Sequence, residues 1–568
     1  MLIPLITATF FMYFFKRGTS DEFLYAFIFS FFLSSFLFIN LREIKSWKYF
    51  EIKSLLLNNL YSKFQNNHKS QILIIFLFLL ISQNDILNYE TIDTDINSYL
   101  ATSKEILRGN LPYENQWESK TPMLYVFYAF LIFLSGGNLV YFKLLNDLLL
   151  FLVALLIFYI TKIKYENIGI KAFTTTCLYV SFMSFDWAKT EYSEIYVIFF
   201  LASSYLYLLR KSSNNVFKAG LLFSIATLVN QGSIVFAIPF LFVIFKRAKN
   251  IGIEIIKFSL GVLIPHFLML LFYLFNDLFD IYYATLFKIP LTYTQSDFLF
   301  LEEILVFVKS IYNHSFLLFF IFFASVIFLM GFFTNLNLWR NSKNNIFTLD
   351  HEINLFLLTS LLFYYLAAKG YYHHTLFLIF FSVFIINQFT SGNFSYFFNF
   401  TIFICSCSII LSTASSSLNN LKNLNEVENN YPLKELSIVI DSYFDDDFTV
   451  LALDYNLILY YLDKPNFSYI VHPQNHYEDF ITNELINLDL IKDNQIRELI
   501  SAEPDVILCS GTQIISGIVT QIEEFNCEVS DYNRKYIKLD TNLYRYNANI
   551  NLYPDPYREV GVYLKIND

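Results

Sequence analysis

A polar stretch, residues 89–125, has the sequence YETIDTDINSYLATSKEILRGNLPYENQWESKTPMLY and separates two strongly apolar blocks. Charged side chains are set among large aromatic ones in it: Asp93, Asp95, Arg108, Glu114, Glu118 and Lys120, with Tyr99, Tyr113 and Trp117. A helix that crosses a membrane needs about 20 predominantly apolar residues. A polar stretch between such blocks therefore indicates a segment that lies at a membrane surface.

The composition of the whole chain is that of an integral membrane protein. Hydrophobic residues make up 55% and charged residues 15% of the chain, whereas soluble chains have about 25% charged residues. The net charge is −10, and no basic patch with interleaved aromatic residues is present, which argues against nucleic-acid binding. The cysteines lack metal-ligand spacing. Cys509 and Cys527 are explained equally well as a disulfide outside the cytosol or as two buried thiols.

Apolar runs follow one another from the start of the chain to about residue 413. Membrane spans are predicted near residues 2–15, 22–41, 71–86, 139–160, 171–186, 191–209, 217–230, 232–246, 252–275, 314–334, 353–368, 373–390 and 396–413. Segment 121–135 is barely long enough to span, and we interpret it as an interfacial helix. The first run is not a cleavable signal peptide, because no charged region precedes it and no small-residue cleavage site follows it.

Basic loops predict the orientation. If segment 121–135 does not span, about 17 Lys and Arg residues lie on one side and about 9 in the loops of the other side. Because Lys and Arg favour the cytoplasmic side, the polar stretch is predicted to be extracytoplasmic, as is everything after residue 413. Lys16 and Arg17 would lie on the outer side, against this rule. The loops predicted to be cytoplasmic are 42–69, 161–171, 210–218, 246–249 and 340–343.

Four parts are predicted: spans and a basic cytoplasmic segment in 1–69, a transmembrane catalytic domain in 70–413 with its outer loop at 87–137, a Ser/Asn-rich linker in 414–432, and a soluble domain in 433–568. In the soluble domain, NQIRELISAEP is predicted as a helix and YIKLDTNLYRYN as a hairpin, which indicates a small α/β domain. It has no phosphate loop or catalytic triad, so a packing or acceptor-docking role is favoured. The predicted strands are SIVIDSYF, FTVLALDY, YNLILYYL and PDVILCSG.

Ionisable residues cluster on the predicted outer side, where charge beside apolar helices is costly and therefore indicates function. A carboxylate there can take a proton from an acceptor hydroxyl, and Lys, His and Tyr can neutralise a departing phosphate. Such groups suit transfer from a lipid-linked phosphate whose tail stays in the bilayer. The clusters are Asp93 with Asp95; Glu118, Ser119 and Lys120; Asp186, Lys189, Glu191 and Glu194; and Lys369 with Tyr371, Tyr372, His373 and His374.

The spacing of residues in the polar stretch resembles a known family. Asp95-x-x-x-Tyr99, Ile106-Leu107-x-Gly109-x-x-Pro112-Tyr113 and Glu118-x-Lys120-x-Pro122-x-x-Tyr125 are similar to the first outer loop of the GT-C glycosyltransferase superfamily. The branch in question is the bacterial one that resembles protein O-mannosyltransferases and aminoarabinose transferases, which is glycosyltransferase family 39-like. Glu194-Ile195-Tyr196 resembles its second acidic position, and residues 369–374 resemble its segment of a basic residue followed by histidine. Residues 220–229 resemble a further span, without its usual lysine.

This resemblance covers most of the chain from about residue 70. It implies an α-helical polytopic membrane protein of the GT-C fold with about 11–13 transmembrane helices plus interfacial helices. A small C-terminal α/β extracytoplasmic domain also fits the branch. The implied location is a bacterial cytoplasmic membrane that the chain crosses several times, with the active site outside.

The resemblance implies an inverting glycosyltransferase. It would move a hexosyl or pentosyl unit from a polyprenyl-phosphate-sugar donor to a hydroxyl of a lipid, glycan or protein acceptor. Asp95 is the implied base, with Glu194 as a second acidic group. No cofactor is expected to be required, although Asp93, Asp95 and Glu194 could bind a divalent cation. The implied substrate-binding residues are Glu118, Lys120, Glu191, Lys369, His373, His374, Tyr99 and Tyr113.

Structural alternatives stay open for these residues. Asp93 could be the base in place of Asp95, and an aspartate in front of a helix could be its N-cap. Glu118 and Lys120 could form a surface ion pair worth under about 1 kcal/mol.

Further alternatives concern the helix ends and the chain as a whole. Glu191 could be a solvated helix-end charge, and His373 and His374 could anchor their span at the interface. The chain could also be a transporter or flippase for a lipid-linked sugar, although the internal repeat that is common in transporters is not seen. A ligase that moves a whole glycan is the third possibility.

Overall fold

A computed structural model describes residues 67–84, 87, 90, 93–165, 169–184, 188, 190–210, 213–295, 350–366, 372–388, 403, 406–407, 414, 417–444, 447–510, 512–515, 518–521, 535–539 and 560–566. Predicted spans 2–15, 22–41 and 314–334 lie outside these residues, as does most of 396–413. Asp186, Lys189 and Lys369 also lie outside them. The described chain is mostly helical, with a small C-terminal sheet.

Helix α1 (His68–Gln83) precedes the polar stretch, α2 (Thr94–Leu107) lies within it, and α3 (Pro122–Ser135) begins at its end. Helix α3 begins with a proline in its first turn and ends at Gly136, whose φ of 62° is left-handed, the usual way in which a helix starts and stops. Its 14 residues extend about 21 Å at 1.5 Å per residue. This is shorter than the ~30 Å hydrocarbon core of a bilayer, so an interfacial position fits its length.

The remaining helices of the apolar part form a bundle. Helices α4 and α9 are long and apolar enough to cross a membrane, and other described helices are apolar but shorter. Each predicted span between residues 71 and 390 that lies within the described residues falls on helical segments, whereas the total number of spans stays a prediction. The helices are α4 (Leu139–Lys164), α5 (Gly169–Phe182), α6 (Ser193–Leu209), α7 (Ser213–Val229), α8 (Ala237–Arg247), α9 (Ile251–Phe275), α10 (Phe279–Tyr283), α11 (Ile289–Gln295), α12 (His351–Leu366) and α13 (Leu376–Ser382), with 3₁₀ turns at Gln231–Phe236, Tyr372–Thr375 and Val383–Gln388 and a π turn at Ala284–Lys288.

Helices α7 and α9 come into backbone contact at two glycines. A Cβ atom on Gly220 would lie 2.3 Å from the carbonyl oxygen of Phe258, and one on Gly261 would lie 2.4 Å from that of Phe217. Small residues permit such close helix packing in membranes. Gly220, which the sequence places in a family-like span, therefore has a packing role.

An ion-pair network closes the end of the bundle farthest from the polar stretch. Glu352, at the start of α12, is 1% exposed and pairs with Lys164, the last residue of α4. It also contacts Lys246 at 3.3 Å and Arg247 at 2.9 Å, both at the end of α8. These three cations come from loops predicted to be cytoplasmic. The basic loops and the polar stretch thus lie at opposite ends of α4, whereas the side of the membrane stays a prediction.

The C-terminal part is a small α/β unit. Four strands form a sheet in the order β1-β2-β6-β5, in which β1 and β2 are parallel and the other neighbours are antiparallel. Strands β3 and β4 form a separate antiparallel pair. The elements are α14 (Leu424–Val427), a 3₁₀ turn (Glu428–Asn430), α15 (Pro432–Asp441), β1 (Val450–Ala452), α16 (Leu457–Leu462), a 3₁₀ turn (Pro473–His476), α17 (Asp479–Asn487), α18 (Gln495–Ser501), β2 (Val506–Ser510), β3 (Thr512–Ile515), β4 (Ile518–Gln521), β5 (Tyr536–Leu539) and β6 (Val560–Lys565).

Two of the predicted strands are helices. Most of SIVIDSYF belongs to α15 or the turn after it, because Pro432 favours a helix start and Leu433, Leu436 and Ile440 recur with helical spacing on the buried face. YNLILYYL forms α16, because a short apolar run fits a buried helix as well as a strand. FTVLALDY contains β1, PDVILCSG contains β2 and NQIRELISAEP contains α18, as predicted. The first strand of the predicted hairpin, β5, pairs with β6, and residues 540–547 lie outside the described residues.

Three cysteines lie within the described residues. Cys177 and Cys407 are free thiols, as expected for packing residues in apolar segments. Cys509, on β2, is disulfide-bonded.

Candidate active site

Asp95 lies in the first turn of α2 and is the centre of the site. Its Oδ1 is 2.8 Å from Nε2 of His472, and its Oδ2 is 3.9 Å from Nε2 of His373. The Asp95 side chain keeps 28% of its surface exposed. Burial alone would raise the pKa of Asp95, but the hydrogen bond to His472 and the positive charge of Lys120 hold it well below its usual range. Asp95 is therefore an ionised carboxylate that an acceptor can reach.

Asp93 is used differently from Asp95. Its Oδ1 accepts hydrogen bonds from the backbone N–H groups of Asp95 and Ile96 at 3.0 and 3.2 Å, which makes it the N-cap of α2. Its Oδ2 accepts a hydrogen bond from the hydroxyl of Tyr192 at 2.6 Å, and Asp93 is 2% exposed. This geometry favours Asp95 over Asp93 as the base, and the assignment stays a prediction.

Glu118 and Lys120 lie in the turn before α3. Glu118 is buried and accepts hydrogen bonds from Ser119 Oγ at 2.8 Å, from the backbone N–H of Lys120 at 3.1 Å and from the hydroxyl of Tyr125. It is therefore not half of a surface ion pair. Burial lowers the pKa of Lys120, but the charges of Asp95 and Glu194 raise it above its ordinary value. Lys120 is thus a stable cation beside these carboxylates.

A carboxylate and two imidazoles come together at the start of α6. Glu194 is fully buried. Its Oε2 accepts a hydrogen bond from Ser193 Oγ at 3.1 Å, and its Oε1 has no hydrogen-bond partner among the described residues. Ligand atoms of Glu194, His373 and His374 all lie within 4.8 Å of one another. These three groups could hold a divalent transition metal, because imidazole and carboxylate both suit such ions.

Tyr99 and Tyr113 are buried beneath the turn that carries Lys120. The ring centre of Tyr99 is 6.0 Å from the ammonium of Lys120. It is 5.7 Å from the ring centre of Tyr128, in an edge-to-face contact. Tyr113 has a left-handed φ of 73°, and its hydroxyl donates a hydrogen bond to the carbonyl of Lys120. Both tyrosines thus position Lys120 within this part of the chain.

Glu191 belongs to a neighbouring cluster. It is 2% exposed, so it is not a solvated helix-end charge. The hydroxyl of Thr190 lies 3.3 Å from the carboxylates of both Glu191 and Asp147.

His472 is the residue that the sequence did not identify. It comes from the C-terminal unit, in the loop between α16 and the 3₁₀ turn that begins at Pro473, and its side chain is 5% exposed. The sequence FSYIVHPQNHY around it has no recognisable motif. A histidine in front of a proline turn was the only available signal, and it is a weak one.

The C-terminal unit is held against the outer loop by backbone pairing. The N–H of Trp117 donates to the carbonyl of Tyr469 at 2.6 Å, and the N–H of Val471 donates to the carbonyl of Trp117 at 3.0 Å. The side-chain amide of Gln116 donates to the carbonyls of Asn466 and Ser468 at 3.0 Å each. Residues 466–472, which we call the docking segment, thus lie along the outer loop and bring His472 to Asp95. A packing role for this unit was predicted, but not a residue in the site.

Two solved structures are similar to this chain. ArnT from Cupriavidus metallidurans bound to undecaprenyl phosphate has 10% identity and a TM-score of 0.49, over 77% of this chain and 93% of that one. ArnT from the same organism in the apo state has 11% identity and a TM-score of 0.40, over 77% of this chain and 92% of that one. No family model matches the chain, and no curated protein matches it.

Proposed function

We propose that this chain is a membrane glycosyltransferase that moves a sugar from a polyprenyl-phosphate-linked donor to a hydroxyl of an acceptor. The observation that carries the proposal is the surroundings of Asp95. A partly exposed, ionised carboxylate lies beside the cation Lys120, at one end of an apolar helical bundle. Such a site can deprotonate a hydroxyl and bind a phosphate, while the lipid tail of the donor stays in the bilayer.

The proposed reaction is a single displacement. The acceptor hydroxyl gives its proton to Asp95 while its oxygen forms a bond to the anomeric carbon of the sugar. The bond from that carbon to the phosphate oxygen breaks, and the electron pair leaves with the polyprenyl phosphate. Attack from the opposite face inverts the anomeric carbon, and no covalent enzyme intermediate forms. The acceptor oxygen must lie about 2.6–3.2 Å from the carboxylate.

Positive charge near the leaving phosphate is provided by Lys120, and Nε2 of His373 lies 3.9 Å from Oδ2 of Asp95. Donors that are already in place stabilise the charge that develops on the phosphate. Glu194 lies near both and is suited to orient the acceptor. Because Asp95 has a lowered pKa, it is a weak base that receives the proton only as the new bond forms.

The proposed location is a bacterial cytoplasmic membrane, with the site and the C-terminal unit outside. The excess of basic residues in the opposite loops supports this orientation. The disulfide of Cys509 also supports it, because disulfides persist in oxidising compartments and are rare in the cytosol.

Mass spectrometry of cell-envelope glycans and lipids tests the proposal and identifies the sugar. Cells that express the chain, cells that lack it and cells that express Asp95→Asn at matched membrane levels are compared. We expect one sugar-modified species in the first sample only. If the species also persists with Asp95→Asn, the proposal that Asp95 is the base of sugar transfer is wrong. A flippase, which needs no base, then becomes the better explanation.

A further inference from the structure

Both ring nitrogens of His472 are engaged. Its Nε2 lies 2.8 Å from Oδ1 of Asp95, and its Nδ1 accepts a hydrogen bond from the backbone N–H of Gln474 at 3.2 Å. A backbone N–H group can only donate, so Nδ1 carries no proton in this contact. The neutral ring then has its proton on Nε2 and donates it to Asp95.

This arrangement separates the roles of the two residues. With both nitrogens engaged, His472 has no lone pair available to take a proton from an acceptor. Its N–H fixes Oδ1 of Asp95, and Oδ2 is left on the side of His373, 3.9 Å away. Oδ2 is therefore the oxygen that faces the acceptor, and His472 acts through Asp95.

Contacts beyond the docking segment hold the C-terminal unit on α2. Asp463 contacts Lys104 at 3.3 Å and Arg108 at 3.0 Å. The amide of Asn456 donates to the hydroxyl of Ser98 at 2.7 Å. Together with the backbone pairing at Trp117, these contacts hold the unit against both α2 and the outer loop, so the position of the His472 ring is defined relative to Asp95.

We propose that the C-terminal unit completes the active site, with His472 as the positioning residue of Asp95 and the docking segment as the element that delivers it. This inference rests on the proposed glycosyl transfer. It predicts that the extracytoplasmic unit is required for the chemical step itself and not only for acceptor binding.

The titratable groups around Asp95 and His472 influence the pH dependence of the reaction. Asp95 is faced by Lys120 and His373, and His472 is faced by Glu118, Asp93 and His476. The hydrogen bond to His472 lowers the pKa of Asp95. Loss of this bond raises the pKa of Asp95, so the acidic limb of the pH–kcat profile moves to higher pH.

The test compares His472→Ala, His472→Gln and His476→Ala in the full chain, reconstituted in nanodiscs with the lipid-linked sugar identified above. We expect His472→Ala to lower kcat about 10- to 100-fold, as for residues that orient a reactive group, with little change in KM and with the shifted acidic limb. Glutamine keeps an N–H donor and should restore much of kcat. His476 ends the 3₁₀ turn that directly follows His472, is similarly buried and makes no contact with Asp95 among the described residues, so His476→Ala should retain kcat.

Two kinetic results would overturn the inference. One is an unchanged kcat and acidic limb in His472→Ala. The other is an equal loss in His472→Ala and His476→Ala without rescue by glutamine, which would show a purely structural role. An NMR titration of labelled histidine in the full chain separates this inference from the proposed function, because Asp95→Asn should lower the pKa of His472 even if no sugar is transferred. A His472 pKa that does not change in Asp95→Asn would also contradict the contact.

Discussion

The two ends of the helical bundle both bury charge, but they balance it differently. At the end where α4 and α8 finish, Glu352 is matched by three cations, Lys164, Lys246 and Arg247. At the other end the described residues place one cation, Lys120, among several carboxylates: Asp93, Asp95, Glu118 and Glu194.

The two ends also differ in how far their carboxylates are exposed. Glu352 is 1% exposed, whereas the side chain of Asp95 is 28% exposed. A closed network in which every charge has a partner fixes helices relative to one another, and breaking it costs stability. An open cluster with an excess of one charge can exchange protons and bind ligands, and perturbed groups of this kind mark functional sites. The comparison predicts that substitutions at one end change stability, and that those at the other end change activity.

The largest expected effect distinguishes Asp95 from Asp93, the two aspartates at the end of the bundle that contains Lys120, which we call the open end. Asp95→Asn should lower kcat at least about 10³-fold, because general-base catalysis contributes about 10² to 10⁴, with little change in thermal stability. Asp93→Asn keeps a side-chain oxygen that can cap α2 and should retain most of the activity. Sugar transfer and the thermal unfolding midpoint of both variants are measured in parallel. Equal losses of activity at the two positions would leave the base unassigned and contradict the difference in their contacts.

The next effect concerns the opposite end of the bundle, where Glu352 pairs with Lys164, Lys246 and Arg247, which we call the closed end. Glu352→Gln leaves Lys246 and Arg247 without their carboxylate, whereas Lys164 keeps Asp350 at 3.1 Å. Removal of one partner from a buried ion pair destabilises by about 3–5 kcal/mol. We expect a lower thermal unfolding midpoint in detergent and unchanged kcat for the protein that stays folded. Glu254→Gln is the matched control, because Glu254 pairs with Lys257 at 3.2 Å within one helix and such pairs contribute under about 1 kcal/mol. A fall in kcat at full stability would show that the closed network takes part in catalysis.

A third effect lies where the polar stretch meets the C-terminal unit. Glu90 accepts hydrogen bonds from the backbone N–H groups of Leu433 and Lys434 at 2.9 and 3.3 Å. Burial raises the pKa of Glu90 from 4.5 to about 7, against the lowering effect of the hydrogen bond from Leu433. The folded state therefore binds the proton more tightly than the unfolded state. This stabilisation is fully present below about pH 4 and is lost as the pH rises through about 7.

The shift corresponds to about 3 kcal/mol, at about 1.4 kcal/mol per pKa unit. The thermal unfolding midpoint should fall from pH 5 to pH 8 in the wild-type chain, and less steeply in Glu90→Gln. Glu435→Gln, in the first turn of α15 and exposed, should keep the wild-type slope. The same slope in wild type and Glu90→Gln would show that Glu90 is ionised throughout this range.

The site could be predicted from the sequence where its residues are close in the chain or share one end of the spans. Asp95 and Lys120 lie in one polar stretch, and Glu194 and His373 lie at helix starts that the basic loops assign to the same side. The structure brings these four residues together, as the predicted topology requires. Their roles stay predictions. Lys369 was predicted with them and lies outside the described residues.

What the sequence did not predict depends on contacts between distant segments. His472 reaches Asp95 only because the docking segment pairs with Trp117, and no local pattern specifies such pairing. Helices α15 and α16 were predicted as strands because short apolar runs fit both structures. The partners of Glu352 come from the ends of α4 and α8, far apart in the chain. In each case the tertiary packing determines the outcome, and the local sequence leaves it open.

The smallest expected effect concerns a metal at the open end. Glu194, His373 and His374 could hold a divalent ion, which would balance the excess of carboxylates there. We nevertheless expect none to be required, because Lys120 already supplies a cation that Asp95 and Glu194 stabilise. Treatment of the purified full chain with EDTA or 1,10-phenanthroline should change kcat less than twofold. Removal of the positive charge of Lys120 tests the same balance from the other side. Lys120→Met should abolish transfer with or without added Zn²⁺ or Mn²⁺. The contrary result would be a loss of activity on chelation that one added metal restores in the wild-type chain but not in His374→Ala. It would show that a bound ion balances the carboxylates at this end of the bundle.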